Sequence, residues 1–230
     1  MRRIAMPLLL LMANVAQASE LPAPASWNGF YVGGNLGYGK ARASADFNII
    51  GVPAIAASED LSGAVYGGQL GYNAQWGPLV LGLETDLMAT SQKASSSRQC
   101  LALTCGIAVT QTSDDSIPWL GTTRLRLGGA IGKFLVYGTG GVGYGAFKST
   151  QTATTALASV TSESNEQRLA WVAGGGIEAA LDAHWSVRAE YLHVDAGSNT
   201  TTYSLAGVGL ITQQSRMVED IARFGVNYRF

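Results

Sequence analysis

The position of the charged residues within a two-residue alternation constrains this chain more than any other feature. Eight segments alternate between apolar side chains at one set of positions and small or polar side chains at the other, as β-strands with two different faces do. These segments cover residues 27–39, 64–76, 81–87, 119–128, 134–147, 168–181, 185–191 and 222–230. Nine strand charges, as we name them, all fall on the polar set: Glu84, Asp86, Arg124, Arg126, Glu178, Arg188, Glu190, Arg223 and Arg229.

The connections between these segments are alternately long and short. Short turns are expected at Gly77-Pro78, at 131–133 and at 182–184. Four polar stretches are expected to be long loops, namely residues 42–61, 91–116, 149–166 and 196–216. Short periplasmic turns and longer outside loops are typical of outer-membrane barrels. The sequence therefore predicts an eight-stranded antiparallel up-and-down transmembrane β-barrel over residues 27–230, with both termini in the periplasm.

A soluble eight-stranded barrel, such as a lipocalin, is the alternative fold. It would place apolar side chains inside and polar ones outside. A membrane barrel must instead turn its charged side chains inward, because an Arg that faces lipid at the bilayer midplane costs about 2–4 kcal/mol. The composition favours the membrane barrel, since only 13% of residues are charged and 29 are Gly. Aromatic residues at both ends of the segments resemble two interfacial girdles: Phe30, Trp76, Phe134, Trp185, Tyr228 and Phe230 at the turn ends, and Tyr38, Tyr66, Trp119, Tyr144 and Trp171 at the loop ends.

The first residues have the features of a secretory signal peptide. Arg2 and Arg3 precede an apolar stretch that is too short to span a bilayer, and Ala16-Gln17-Ala18 forms a cleavage site. We expect residues 1–18 to be removed and residues 19–26 to form a short periplasmic lead. The mature chain keeps all 16 acidic residues and loses two of 15 basic ones, so a nucleic-acid partner is not expected.

Two cysteines, Cys100 and Cys105, lie close together in a polar stretch. Because an exported protein enters an oxidising compartment, we expect them to form a small loop disulfide. The alternative is a metal site, which would need His or acidic ligands near these thiols. We expect no metal and no cofactor.

The nine strand charges comprise five Arg and four carboxylates, and we expect them to face inward and pair. An eight-stranded barrel has an interior just wide enough for side chains to fill it. The sequence therefore predicts a largely closed interior. A narrow ion-selective or small-solute pore is the alternative, although balanced charges argue against strong selectivity.

Two patterns could suggest an enzyme. Residues 138–143 fit a dinucleotide-type Gly pattern, but a Ser/Thr-rich stretch follows instead of a helix. His193 could belong to a lipid esterase, but Val194 and Asp195 follow it where such enzymes have a Ser two residues on. We therefore expect no enzymatic activity.

Several motifs together resemble the small outer-membrane barrels of alphaproteobacteria, often described as porin-family proteins or major outer-membrane surface antigens. The motifs are the opening residues 27–39, Arg124-Leu125-Arg126-Leu127-Gly128, residues 136–141, Ala189-Glu190-Tyr191 and the closing residues 223–230. The resemblance covers about residues 27–230 apart from the loops. It implies insertion by the outer-membrane assembly machinery, which would recognise the terminal pattern Phe224, Val226, Tyr228 and Phe230.

These features lead to one functional hypothesis and two alternatives. The leading one is a structural barrel that contacts outer-membrane lipid and lipopolysaccharide, supports the envelope and displays its loops at the surface. The second is a module that binds an extracellular ligand, a host surface or haem through its loops. The resemblance implies haem uptake for some relatives, but Tyr203 is the one candidate ligand in these loops. The third is the narrow pore.

Overall fold

Eight antiparallel strands form a closed barrel in which each strand pairs with its neighbours in the sequence and the last strand closes onto the first. The computed structural model describes residues 26–49, 55–100, 108–205 and 209–230. The strands are β1 (Gly29–Ile49), β2 (Ile55–Trp76), β3 (Leu79–Cys100), β4 (Val109–Ile131), β5 (Phe134–Thr154), β6 (Ser159–Ala180), β7 (Trp185–Leu205) and β8 (Gly209–Arg229). The predicted fold is confirmed. No helix in these ranges is both long enough and apolar enough to cross a membrane.

The four stretches expected to be long loops are mostly strand, so that prediction was wrong. Within the described ranges these stretches continue the eight ladders, and each strand is 21 to 23 residues long. A tilted strand crosses a bilayer in about 9–11 residues. About half of every strand therefore extends beyond the membrane on the side away from the short turns.

These outer strand halves lack the hydrophobic alternation because neither of their faces meets lipid. Backbone hydrogen bonds and polar cross-strand pairs hold them instead. Thr152 and Thr161 face each other with hydroxyl oxygens 3.2 Å apart. Thr154 and Ser159, two residues further along the strands, also have hydroxyl oxygens 3.2 Å apart. Thr and Ser at such positions stabilise a ladder that has no apolar face. The sequence of these strand halves therefore lacks the hydrophobic alternation that would predict a strand.

The membrane-spanning part lies between two aromatic belts on the outer surface. Phe30, Trp76 and Phe134 form part of the belt beside the short turns, and Tyr38, Tyr66 and Trp171 form part of the outer belt; the side chains of all six are between 44% and 60% exposed. Such belts mark the two membrane interfaces. On β8 the outer belt is reached at Ala222, which pairs with Tyr38.

Beyond the outer belt the barrel divides into two sheets of four strands. Pairing between β2 and β3 extends outward only to Ser62 and Lys93, and pairing between β6 and β7 only to Trp171 and Asp195. The other pairs continue almost to their hairpin ends. We call β7-β8-β1-β2 and β3-β4-β5-β6, above these points, the two outer sheets.

The barrel interior is layered along its axis. A buried apolar cluster near the short turns contains Trp27, Val80, Leu135, Tyr137 and Ala180. A layer of buried charged and polar residues follows. A second apolar layer contains Val65, Met88, Leu120, Val172, Leu192, Val194 and Ile221, and a third contains Ala41, Leu61 and Ile117.

Several predictions fall on residues that the structure does not describe. The expected signal peptide (residues 1–18), nearly all of the lead (residues 19–26) and Cys105 lie outside the described ranges. The cleavage site and the disulfide between Cys100 and Cys105 therefore remain predictions.

Candidate functional site

The structure places all nine strand charges inside the barrel. None of them is more than 6% exposed. Eight of them lie in one layer, which we call the charge cluster: Glu84, Asp86, Arg124, Arg126, Glu178, Arg188, Glu190 and Arg223. The cluster contains four guanidinium groups and four carboxylates, so its formal charge is zero.

Glu84 on β3 is one of two carboxylates in the cluster that contact three or more arginines. Its Oε1 accepts a hydrogen bond from Arg124 Nη2 at 2.5 Å. Its Oε2 accepts hydrogen bonds from Arg188 Nη1 at 2.5 Å and from the Tyr31 hydroxyl at 2.7 Å. Arg126 Nη1 is 3.4 Å from the same oxygen. One carboxylate thereby connects side chains of three other strands, because these donors come from β1, β4 and β7.

Glu190 on β7 is the second such carboxylate. Its Oε1 accepts from Arg124 Nη1 at 3.1 Å and from the Tyr137 hydroxyl at 2.9 Å. Its Oε2 accepts from Arg223 Nε at 2.7 Å. Asp86 Oδ2 lies between Arg124 and Arg223, which donate to it at 2.8 and 2.7 Å. Arg124 and Arg223 are therefore each shared between carboxylates of β3 and β7.

Glu178 on β6 lies on the side of the cluster nearer the short turns. It accepts hydrogen bonds from Arg126 Nη2 at 2.7 Å, from the Ser186 hydroxyl at 2.6 Å and from Asn227 Nδ2 at 2.8 Å. Asn227 in turn accepts from Gln69 Nε2 at 2.8 Å. Through these neutral groups β2 and β8 join the same network, so every strand contributes a side chain to it.

The sequence analysis did not identify the tyrosines and amides of this network. Tyr31 and Tyr137 donate to the carboxylates and also flank Arg126, whose guanidinium lies 3.9 Å from the centre of the Tyr137 ring. Both occupy positions of the polar set in their strands. A buried Tyr needs a partner for its hydroxyl, and that requirement, applied to the inward positions, could have identified them.

Arg229 is a correction to the predicted network. Its guanidinium lies 5.0 Å from the Trp27 ring centre and donates to the carbonyl oxygen of Ala183 at 3.5 Å. Within the described ranges no carboxylate lies within ion-pair distance of it. It lies one layer closer to the short turns, where Trp27 closes that end of the interior.

Glycines on the inward face make room for the large side chains of the cluster. A Cβ at Gly71 would overlap the Tyr31 ring, and a Cβ at Gly176 would lie 2.7 Å from the Tyr137 hydroxyl oxygen. Outward-facing Gly34 is different, because the nearest atom to a Cβ there is 3.7 Å away. The glycine content therefore has a packing role inside the barrel at these two positions.

The outer sheets enclose a polar cavity of about 480 Å³ above the third apolar layer. Its walls come from all eight strands and include seven serines, three arginines and three acidic residues. The charged residues are Glu59, Arg98, Asp115, Glu166, Arg168 and Arg216. We call this space the outer cavity.

Two acidic groups of the outer region have raised pKa values. Burial raises the pKa of the Asp115 carboxyl, and the facing Glu59 raises it further. Burial also raises the pKa of Glu219, to about 7, although Gln92 Nε2 donates to its Oε1 at 2.7 Å. Glu219 lies just outside the membrane-spanning part, because β8 reaches the outer belt at Ala222. The sequence analysis did not predict that either group would be perturbed.

His193 and the terminal aromatic residues lie on the outer surface of the barrel. His193 Nδ1 is 2.7 Å from Asp220 Oδ1, which also accepts the Tyr191 hydroxyl at 2.6 Å. Phe224, Val226 and Phe230 of the predicted assembly pattern face outward, and the ring of Tyr228 contacts those of Trp185 and Phe230. The side chain of Tyr203 lies outside the described residues.

Comparison with known proteins agrees with this architecture. The family described as outer membrane protein beta-barrel domain matches residues 6–230. The 31 kDa outer-membrane immunogenic protein of Brucella melitensis is 33% identical, with 95% of this chain and 93% of the relative covered. The 22 kDa outer membrane protein of Rhizobium leguminosarum bv. viciae is 29% identical, covering 78% of this chain and 69% of that one.

Among solved structures, the outer membrane protease OmpT from Escherichia coli has a TM-score of 0.50 and 8% identity, covering 88% of this chain and 97% of that one. At that identity the likeness shows the fold alone. The two relatives match over 95% and 78% of this chain, and both are named as outer-membrane proteins. The chain therefore belongs to the outer membrane protein β-barrel domain family and is an outer-membrane protein.

Proposed function

We propose that this protein is a closed structural barrel that supports the outer membrane and displays its two outer sheets at the cell surface. The observation that carries the proposal is the charge cluster, in which four arginines and four carboxylates fill the barrel across its width. The side chains of Arg124, Arg188 and Arg223 are fully buried, as are those of Glu84 and Glu190.

The layers on both sides of the cluster support a closed interior. Trp27 and Leu135 are each 1% exposed on the side of the short turns, and Met88, Leu192 and Ile221 are fully buried on the other side. An ion crossing the barrel would have to pass apolar layers and displace the buried ion pairs of the charge cluster. The barrel geometry agrees, since an interior of eight strands is about filled by its own side chains.

The surface role is supported by the length of the strands. About half of each strand extends past the outer belt, so the two outer sheets present a large polar surface. The Brucella relative is named an immunogenic protein, which is in keeping with exposure at the surface. In this proposal the termini and the short turns face the periplasm, and the assembly machinery recognises Phe224, Val226, Tyr228 and Phe230.

Planar-bilayer recording tests the closed interior. We expect no large, stable single-channel currents from the wild-type protein. The variant Glu84→Ala with Arg124→Ala removes one charge of each sign, keeps the cluster neutral and opens space, so small currents are expected from it. The exposed pair Arg42→Ala with Asp60→Ala is the matched control and should behave as wild type. Large stable currents from the wild type would overturn the proposal.

Trimming the outer sheets separates the two parts of the role. Residues 44–58, 94–115, 149–164 and 199–215 can each be replaced by a short turn, because the first and last residue of each range are directly paired. A gene deletion should increase sensitivity to detergent, and trimmed proteins should restore resistance while losing recognition by surface antibodies. Failure of well-inserted trimmed protein to restore resistance would assign envelope support to the outer sheets instead of the barrel.

A further inference from the structure

The separation of β6 from β7 leaves each of these strands with an unpaired edge. Above the pair formed by Trp171 and Asp195, residues 159–170 of β6 pair with β5, and residues 198–205 of β7 pair with β8. Over these two ranges, whose backbone the structure describes throughout, neither strand has a ladder partner on its other side. Such an edge presents N–H and C=O groups that can pair with a further strand. We call the two segments the free edges.

A β-bulge in β7 lies directly at the point of separation. Asp195 pairs with Val218 and Ser198 pairs with Arg216, so three steps along β7 match two along β8. Gly197 in the bulge has a φ of 68°, a left-handed conformation that favours glycine. Asp195 holds the bulge, because its Oδ1 accepts from the Gly197 amide at 2.7 Å and its Oδ2 accepts from Arg216 Nη2 at 2.8 Å. Since a bulge bends its strand, the local sequence turns β7 away from β6.

The gap on the opposite side of the barrel, between β2 and β3, is bridged within one copy. Ser96 Oγ donates a hydrogen bond to Glu59 Oε1 across it at 2.5 Å. Among the described side chains, no hydrogen bond or ion pair crosses the gap between β6 and β7 above its last pair. Arg168 and Glu166, the charged residues of β6 nearest that point, pair with each other. The free edges are therefore the part of the outer sheets that is available to a second molecule.

From this geometry we propose that two copies of the chain associate in the membrane through their free edges, so that β6 of each copy pairs with β7 of the other. A two-fold axis along the membrane normal keeps both barrels in the same orientation and brings the two gaps face to face. β6 then runs antiparallel to β7 of the other copy, as it does to its own β7 below the gap. Both free edges of each copy are paired at once. This association goes beyond the proposed structural role and does not depend on it.

The charges of the free edges favour pairing of β6 with β7 over pairing of β6 with itself. Residues 198–205 of β7 contain no charged residue, so Glu163, Glu166 and Arg168 of β6 meet uncharged partners. Two β6 strands related by the same axis would instead run parallel and would place Glu163 beside Glu163 of the other copy. Like charges directly opposite each other destabilise a strand pair.

The lipid-facing surface beside the gap allows the two barrels to approach. Gly138 on β5 pairs with Gly175 on β6, and Gly140 pairs with Ala173. These four outward positions carry nothing larger than a methyl group, so the surface is nearly flat. In the dimer this surface faces β7 of the other copy, where Tyr191 is 51% exposed. The flat surface leaves space for that ring.

Disulfide cross-linking of two single-cysteine proteins tests the pairing between copies. If the register of Trp171 with Asp195 continues past the one extra residue of the bulge, Gln167 of one copy lies opposite Thr200 of the other. Full-length Gln167→Cys and Thr200→Cys proteins, each with both native cysteines replaced by Ser, are mixed in lipid vesicles and oxidised. We expect at least tenfold more cross-linked dimer from the mixture than from either protein alone. Thr152→Cys, on β5, where both strand edges are covered, is the matched control and should give no such product with Thr200→Cys.

Deletion of Gly197 tests whether the bulge keeps the edges free. Without the extra residue, β7 should continue along β6 of its own copy, so the dimer should become a monomer. The number of copies is counted from the photobleaching steps of labelled protein in dilute lipid vesicles. Deletion of Leu157, in the turn between β5 and β6, is the matched control and should leave the wild-type dimer.

Three results would overturn the proposal. The first is a wild-type protein that is monomeric in vesicles, which would leave the free edges to a strand of a different protein. The second is equal cross-linking of Thr152→Cys and Gln167→Cys with Thr200→Cys. The third is a dimer that persists in folded, heat-modifiable protein lacking Gly197. Because the cross-linked proteins keep the native bulge, they give a result even if the deletion variant does not fold.

Discussion

Glu84 and Arg124 are direct cross-strand partners on β3 and β4, and Glu84 Oε1 accepts a hydrogen bond from Arg124 Nη2 at 2.5 Å. Both side chains are fully buried, and each of them also contacts charged groups of β7. The pair is therefore part of a network, and its two members cannot be removed independently.

We expect Glu84→Ala to lower the free energy of unfolding by about 3–5 kcal/mol, because it leaves buried guanidinium groups without their shared carboxylate. The measurement is urea unfolding in lipid vesicles followed by tryptophan fluorescence. Glu84→Ala with Arg124→Ala should be less destabilised than the sum of the two single variants. Asp60→Ala, in an exposed pair with Lys40 and Arg42, should give no measurable change. A Glu84→Ala protein as stable as that control would contradict the network.

Gly71→Ala should destabilise the barrel by about 1–3 kcal/mol, because a methyl group there displaces the Tyr31 ring from its place beside Glu84. Gly34→Ala is the control, since its methyl group would meet its nearest atom at 3.7 Å, an ordinary contact distance. The same unfolding measurement distinguishes them. Equal effects of the two substitutions would indicate that loss of glycine itself, and not displacement of Tyr31, determines the change.

Stability should fall as the pH rises through the range in which Glu219 ionises. Burial raises the pKa of Glu219 from an ordinary value of 4.5 to about 7, so the folded protein holds this proton more tightly than the unfolded chain. The stabilisation is fully present below pH 4.5 and is lost progressively as the pH rises past 7. The free energy of unfolding falls by about 3 kcal/mol over this range. Among the described residues, Asp220 lies next to Glu219 on the same strand and raises its pKa further, and Arg168 lines the same small pocket as Glu219.

This dependence can be tested by measuring, between pH 5.5 and 8.5, the temperature at which heating changes the gel mobility of the folded protein to that of the unfolded chain. Wild-type protein should show a lower transition temperature at the higher pH, and Glu219→Gln should show a flatter profile. Glu163→Gln, at an exposed position of β6, should keep the wild-type profile. If Glu219→Gln retained the full pH dependence, another group would have to be responsible.

Deletion of Phe230 should reduce insertion far more than it reduces the stability of the protein that does insert. Its side chain is 74% exposed, and its amide donates to the Phe30 carbonyl oxygen at 3.0 Å, so little packing is lost. The amount of heat-modifiable protein in the outer membrane measures insertion. Phe134→Ala, another aromatic residue of the belt beside the short turns, should insert normally. Unchanged insertion of the deleted chain would contradict the assembly role of Phe230.

The inward position of the strand charges could be predicted because lipid contacts every second residue of a strand and excludes charged side chains from those positions. Leu83 and Leu87 must face apolar surroundings, so Glu84 and Asp86 between them must face the other way. The same argument fails beyond the outer belt, because water meets both faces there and an apolar residue such as Val160 can be exposed. The outer strand halves, the separation of β6 from β7 and the outer cavity depend on pairing between distant strands, which leaves no periodic signal.

The charge cluster also has a consequence for how the chain selects one alignment of its hairpins. A hairpin displaced by two residues keeps every side chain on its proper face, so the lipid-facing pattern cannot distinguish it from the native alignment. The displacement that brings Thr122 opposite Glu84 would move Arg124 away by about 7 Å and leave Asp86 facing Leu120, so charges of both signs would lose cross-strand partners in a dry interior. Ion pairing thus penalises an error in assembly that hydrophobicity alone would tolerate.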